Sequence, residues 1–226
     1  MARLPRIVVP GCPHHVINRG NRRQIVFFSD SDKTYFYELL KRESAKAKMD
    51  IWVYCLMNNH VHLIAVPEKE DSLAKGIGEL QRKYALTINI RNDWRGHLWQ
   101  TRFSSYPMDE KHLYFAARYI ENNPVRAGLV KKAEEYHWSS ARAHVFKVRD
   151  ELLSDFDLAL SIPDWGAYLR EEISETDVNL LRSHAKSGRP LGDEKFLDDL
   201  EIKTGRILRK KKPGRKGQKT VNNNDE

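Results

Sequence analysis

Ile51-Trp-Val-Tyr-Cys-Leu-Met57, then Asn58-Asn59, then His60-Val-His-Leu-Ile-Ala-Val66 is the stretch that decides the fold. The first run is apolar at every position, which suits a strand covered on both faces. The second continues in the same style after two asparagines, residues that tolerate the positive φ of a tight two-residue turn. The two runs are expected to pair antiparallel, with Met57 opposite His60 and Cys55 opposite His62. Side chains alternate across a sheet, so His60 and His62 project from one face and are able to share one metal ion. Two polar residues beside a turn equally suit a plain sheet edge, and the pair alone leaves both readings open.

Upstream, His14 to Arg19 is a short β-rich run stopped by Gly20-Asn21, followed by the basic loop Gly20-Asn21-Arg22-Arg23. Asp30, Ser31 and Asp32 are N-cap and first-turn residues for a helix with Phe36, Leu39 and Leu40 on one face, reaching about Met49. Downstream, Ser72 is placed to cap a helix whose Leu73, Ile77, Leu80, Tyr84 and Ile88 repeat every three to four residues, weakened by Gly76 and Gly78. Phe103 to Met108 reads as a fourth strand. Asp109-Glu110 opens a helix through Leu113, Ala116, Ala117 and Ile120, and Pro124 stops it. The order β-α-β-β-α-β-α predicts an α+β fold: a ferredoxin-like antiparallel sheet, helices on one face, and an extra helix appended.

The chain has 226 residues, 40% of them hydrophobic, enough for a proper core, and its formal charge of +8 hides three blocks. Residues 1–149 carry +10, residues 150–201 carry −9 and residues 202–226 carry +7. No run approaches the roughly 18 consecutive apolar residues that span a bilayer. The first ten residues lack an apolar core long enough for a secretory signal, so secretion is not expected. Two cysteines, Cys12 and Cys55, cannot build a disulfide framework and suit a reducing cytoplasm. The expected organisation is a catalytic domain over 1–149, an acidic helical extension over 150–205, and a basic, disordered tail over 206–226. Within the extension, helices are expected around Asp177 to Lys186 and Asp193 to Lys203, joined by the turn Gly188 to Gly192. An exposed acidic block would repel DNA, so the extension is expected to pack on the basic core or tail. Deletion of residues 150–226 is then expected to alter affinity and its salt slope more than chemistry.

Tyr119 and Asn123 are four apart near the end of the last core helix and stack one turn apart on one face. A phenol beside an amide oxygen suits a metal-assisted tyrosine nucleophile. Asn before Pro also ends helices in the ordinary way, and a lone tyrosine is often a packing residue.

Taken together, these motifs resemble a known family. Asn58-Asn59-His60-Val61-His62-Leu63-Ile64 is similar to the histidine-hydrophobic-histidine (HUH) motif of the single-tyrosine transposases. Arg118-Tyr119-Ile120-Glu121-Asn122-Asn123-Pro124 and the residues to Gly128 resemble the tyrosine helix of its REP-associated group. His97 to Ser104 and Trp138-Ser-Ser140 add to the match, and Ser187 to Gly192 resembles a C-terminal extension found in part of the group. The resemblance implies a nuclease and ligase for single-stranded DNA bearing imperfect, REP-like hairpins. It implies His60, His62 and Asn123 as ligands of Mg²⁺ or Mn²⁺ and Tyr119 as the nucleophile, forming a 5′-phosphotyrosine. Related enzymes often use Gln as the third ligand, so the shorter Asn123 requires the helix to approach the sheet or to ligate through water. Cys55, if turned inward, would favour Zn²⁺; as a buried apolar residue it would not.

Arg19, Arg22, Arg23 and Arg102 are the expected DNA contacts, with Trp94 and Trp99 as stacking or core residues. His14, His15 and Tyr114 read as structural, with His15 near enough to the site to be checked. The expected setting is the bacterial cytoplasm at the nucleoid, without a membrane, as monomer or homodimer. The alternatives are a non-catalytic DNA-binding regulator and a replication initiator or relaxase of the HUH class. The second usually places its histidine pair after the tyrosine or pairs two tyrosines, the reverse of the order here.

Overall fold

The structure, a computed structural model, describes residues 6–154 and 162–209; the expected tail beyond 209 lies outside the described residues. The core elements are β1 (His14–Arg19), α1 (Asp30–Ala47), β2 (Met49–Met57), β3 (His60–Pro67), α2 (Ser72–Arg91), β4 (Ser104–Pro107) and α3 (Glu110–Glu121). Short helices α4 (Asn123–Arg126), α5 (Ala141–Phe146) and α6 (Trp165–Arg170) follow, then α7 (Glu175–Ser187) and α8 (Glu194–Thr204). The sheet order is β2-β3-β1-β4 with every neighbouring pair antiparallel, as in a ferredoxin-like fold. Met57 pairs with His60 and Cys55 with His62, as the hairpin reading requires. A register shift between Ile51 and Val53 bulges the far end of β2 and leaves the histidine end regular.

The α+β fold is as expected, with two helices on one face of the sheet, and the structure adds the side taken by the appended helix. Helices α1 and α2 cover one face of the sheet, where Val61, Leu63 and Ala65 of β3 meet Phe36, Leu39, Leu80 and Tyr84. Helix α3 covers the other face with Ile64, Cys55 and Met57. An apolar stripe says that a helix needs a sheet and not which face of it. The consequence is functional, because α3 thereby shares a face with His62.

Smaller departures have local causes. The α1 cap is Ser29, whose hydroxyl accepts from Asp32 N–H while the Asp32 carboxylate accepts from the Ser29 backbone, a full capping box. Ser72 lies inside α2, and its hydroxyl accepts from Lys69 N–H. Gly76 does not break α2: an added Cβ would lie 3.1 Å from Ala47 Cβ and Met49 Cε, so the glycine lets α2 approach the α1–β2 corner. Pro124 does not end helical structure outright, since it occupies the first turn of α4, where its missing N–H is not needed.

The extension folds onto the core. Helix α7 lies against β4, with Val178, Leu181 and Leu191 joining the core around α3, and Ser104 Oγ donates to the Ala185 carbonyl. Leu191 bridges Met108, exchanging bonds with Pro107 O (2.9 Å) and Asp109 N (3.0 Å), so the sheet edge is prolonged rather than left open. Leu200 and Leu208 pack on Ile7 and Val9. Arg209, expected at the start of a solvated tail, is instead held by Glu194 (2.9 Å), Asp198 (2.6 Å) and Glu201 (2.6 Å).

Candidate nucleic-acid processing site

At the β1/β3 end of the sheet, on the α3 face, lies a cleft of about 630 Å³. His60 and His62 stand on β3 with ring centroids 5.0 Å apart, and the Tyr119 ring sits edge-on to His62 at 5.8 Å. Asn123 reaches the same cleft, and its side chain is within hydrogen-bond reach of His60. Ala116 and Ala117, both fully buried, pack α3 on the sheet through small side chains. The four predicted site residues are thus brought together.

Tyr119 is held from behind. The neighbouring Glu121 is fully buried, and its carboxylate accepts from Ser140 Oγ, His144 Nδ1 (2.6 Å) and Trp165 Nε1 (2.7 Å). Ser139 bridges Cys55 and Leu56 N donates to Trp138 O (2.9 Å), so the Trp138-Ser-Ser140 run docks as an added edge on β2 and fixes α3 to the sheet. Arg126 lies over the Tyr119 ring, 5.0 Å from its centroid.

Burial pushes His60 down to about 4, with Arg19 adding to the effect and the hydrogen bond to Asn123 opposing it. Burial, then the neighbouring His60 and His15, then Arg19 and Arg126 hold His62 well below the usual imidazole range. Both rings are therefore neutral near pH 7, the state a metal ligand needs. Among the described residues no three His, Cys, Asp or Glu side chains are placed to hold a metal ion by themselves; the candidate donor set is two imidazoles and one amide oxygen. Asn123 Nδ2 points back to Tyr119 O (3.4 Å), which leaves its Oδ1 for the histidine side. Two imidazoles and an amide oxygen are donor types that a divalent cation accepts, and the arginines around them suit a phosphate. Cys55 is fully buried in the core, where burial pushes its thiol up and keeps it protonated, so it adds no soft ligand.

Of the expected DNA contacts, Arg19, Arg23 and Arg102 line the cleft, whereas Arg22 does not. Arg22 and Arg23 both have positive φ (50° and 62°), turning the loop sharply, and only the second is carried toward the site. His97 to Ser104 runs alongside the end of β1, with Gln100 N donating to Arg19 O (2.8 Å), and so delivers Arg102. Trp99 is a core residue that donates to Gln81 O (3.2 Å). Trp94 is exposed and packs edge-on to Phe28. His14 is buried away from the cleft.

Sequence reasoning missed Arg182 and Lys186, one turn apart on α7, which form a further wall of the cleft. It also left His15 as structural, although His15 Nε2 lies 2.8 Å from His62 Nδ1 and His15 Nδ1 lies 2.8 Å from Tyr106 Oη. Alternation along β1 places His15 and His62 on one face and would have found it.

Fold and site together define a DNA-processing protein of the transposase class, and comparison with known proteins agrees. Residues 8–123 match the family described as "Transposase IS200 like", which is half of the chain, and the protein belongs to that family. Its fold is that of a REP-associated tyrosine transposase solved bound to a REP hairpin (18% identity, 69% of this chain and 93% of that one, TM-score 0.56). A putative transposase from Deinococcus radiodurans is also similar (19% identity, 54% and 97% covered, TM-score 0.38). No curated protein matches. No helix among the described residues is long and apolar enough to cross a membrane.

Proposed function

We propose that this transposase is of the REP-associated type and cleaves and rejoins single-stranded hairpin DNA through Tyr119. The observation that carries the reading is the Tyr119 ring edge-on to His62 at 5.8 Å, inside a cleft walled by arginines. The Tyr119 oxygen bonds to the scissile phosphorus while the bond to the 3′ oxygen breaks. The phenol proton is released, and the products are a 5′-phosphotyrosine and a free DNA 3′-OH. Attack by another 3′-OH reverses the step and joins strands without ATP, because the phosphodiester bond energy is retained.

His60, His62 and Asn123 would hold Mg²⁺ or Mn²⁺. A bound divalent ion supplies neutralisation of phosphate charge, which lowers the barrier to attack by a phenol whose ordinary pKa is near 10. Arg19, Arg23 and Arg102, with Arg182 and Lys186 from the extension, draw the strand in and position its phosphates. Arg126 over the Tyr119 ring limits the rotation of that side chain. The fold shared with a protein solved on a REP hairpin supports hairpin DNA as partner. In this reading residues 1–149 are the catalytic domain, 150–205 complete its cleft, and the protein works in the cytoplasm at the nucleoid.

Incubation with a 5′-extended hairpin oligonucleotide and Mn²⁺ is expected to give a covalent protein–DNA adduct that Tyr119→Phe abolishes. An adduct formed undiminished by Tyr119→Phe would place the nucleophile elsewhere. Tight duplex binding without any cleavage by the wild type would favour a regulator.

A further inference from the structure

Two hydrogen-bond chains run out from the paired histidines, and each ends on a backbone carbonyl, a group that only accepts. In the first, His60 Nδ1 lies 2.6 Å from Asn59 Oδ1, and Asn59 Nδ2 donates to Arg23 O at 3.0 Å. The Arg23 carbonyl fixes which way the amide faces, so Asn59 presents its oxygen to His60. The 2.6 Å contact draws the His60 proton to Nδ1, in competition with the Asn123 oxygen that also reaches this ring. In the second, Tyr106 Oη donates to the Leu181 carbonyl of α7 (3.4 Å), His15 Nδ1 meets Tyr106 Oη (2.8 Å), and His15 Nε2 meets His62 Nδ1 (2.8 Å). When the phenol proton is turned to Leu181, a long contact, the phenol oxygen accepts from His15 Nδ1–H. His15 Nε2 is then an acceptor, and His62 Nδ1 is the donor to it.

We infer that Asn59 on one side, and Tyr106 with His15 on the other, are positioning residues that lock His60 and His62 in the Nδ1–H tautomer. Each ring then turns an Nε2 lone pair into the cleft, and α7 takes part through the Leu181 carbonyl. The inference deepens the metal-assisted reading above and rests on it for its purpose, though not for its geometry.

Electrostatics favour the same polarity. The reversed second chain would run from Tyr106 through His15 to His62 and put an N–H on His62 Nε2, facing a cleft that holds Arg19, Arg23 and Arg102. Lone pairs facing those cations are lower in energy than a further positive hydrogen. Both participants of the second chain are buried, His15 at 1% and Tyr106 at 0% exposure, so water cannot readily replace either bond. A ligand held in the correct tautomer by its outer nitrogen binds metal about 10- to 100-fold better than one that is not.

The experiment uses the full chain and two readouts that need no DNA. Long-range ¹H–¹⁵N NMR of the metal-free protein assigns the tautomer of each histidine; the expected pattern is Nδ1–H for His15, His60 and His62. Nε2–H on His62 overturns the second chain, and Nε2–H on His60 overturns the first. Mn²⁺ affinity, read by electron paramagnetic resonance, is expected to fall about tenfold in Tyr106→Phe and in Asn59→Ala. Asn59→Asp, whose carboxylate can only accept, is expected to keep both the tautomer and the affinity, which a merely structural role for the amide would not predict. His62→Ala separates the two levels of the argument. If it binds Mn²⁺ as tightly as the wild type, the metal site itself is wrong. If it loses Mn²⁺ while Tyr106→Phe and Asn59→Ala keep wild-type affinity and tautomers, the positioning role is wrong.

Discussion

The charge replacement Arg182→Ala with Lys186→Ala tests whether the acidic extension belongs to the DNA-binding cleft. Both residues line the cleft that also holds His60 and Tyr119. If each contacts one phosphate, removing both lessens the slope of log K against log salt by about 1.4, taking about 0.7 per phosphate for single strands. Over a fourfold rise in salt, from about 50 to 200 mM, the wild type then loses about sevenfold more affinity than the variant. Fluorescence anisotropy with a labelled single-stranded hairpin across that range reads the slope directly. The control is Lys195→Ala with Lys203→Ala, the same change in net charge on α8, on residues absent from the cleft wall. Its line is expected to parallel the wild type. If the α7 variant also runs parallel, or if both variants flatten equally, the α7 wall makes no specific phosphate contact and the reasoning fails.

Glu121→Ala leaves Trp165 Nε1 and Ser140 Oγ facing a void in the core and is expected to destabilise by about 3 kcal/mol in urea unfolding; a loss under 1 kcal/mol would show that the three bonds to this carboxylate contribute little. Gly20→Ala would place a Cβ 2.3 Å from Gln24 O and 2.7 Å from Val26 Cγ1, so the loop must shift at a cost of about 2 kcal/mol, carrying Arg23 out of the cleft; unaltered melting and DNA affinity would contradict this. His14, fully buried and pushed down to about 4 by burial, with its bond to the Cys12 carbonyl opposing, is neutral in the fold, so its contribution is complete above about pH 6.5 and is lost as pH falls toward 4. At about 1.4 kcal/mol per pH unit the loss has a ceiling near 3 kcal/mol, and unfolding curves between pH 7 and 4 should show His14→Gln losing less stability on acidification than the wild type.

The strands and long helices were legible because their patterns are local. The alternation of His14 to Arg19, the apolar run of Ile51 to Met57, the Asn58-Asn59 turn and the spacing of Leu73 to Ile88 each specify an element, and the Met57–His60 register follows from turn length alone. The side of the sheet that α3 covers was not legible. Leu113, Ala116, Ala117 and Ile120 make an apolar stripe that fits either face, and the choice is made by distant partners, the Glu121 bonds to Ser140, His144 and Trp165. The ends of α1 and α2 were misjudged by a residue because Ser29 to Asp32 and Asp71-Ser72 each offer adjacent capping side chains. His60, His62, Tyr119 and Asn123 were found because each pair is close in sequence. His15 was read as structural and Arg182 was not singled out, because they reach the cleft from elements far apart along the chain.

Net charge by block pointed to an extension packed on the core but not to what that extension presents to the cleft. The extension carries −9 over residues 150–201, and a count of that kind predicts a segment that DNA avoids. A helix, however, sorts its charges by face and by end. In α7, Glu175 and Asp177 occupy the first turn, where they complement the helix dipole, while Arg182 and Lys186 stand one turn apart toward the C-terminus and face the cleft. In α8, Glu194, Asp198 and Glu201 are turned to Arg209, away from the cleft wall. What the extension presents to the site is positive. Removal of residues 150–226 would therefore take away two cations of the cleft, uncover the β4 edge and strip the Leu181 carbonyl from Tyr106. Chemistry and affinity are expected to fall together, contrary to what block charge alone implies.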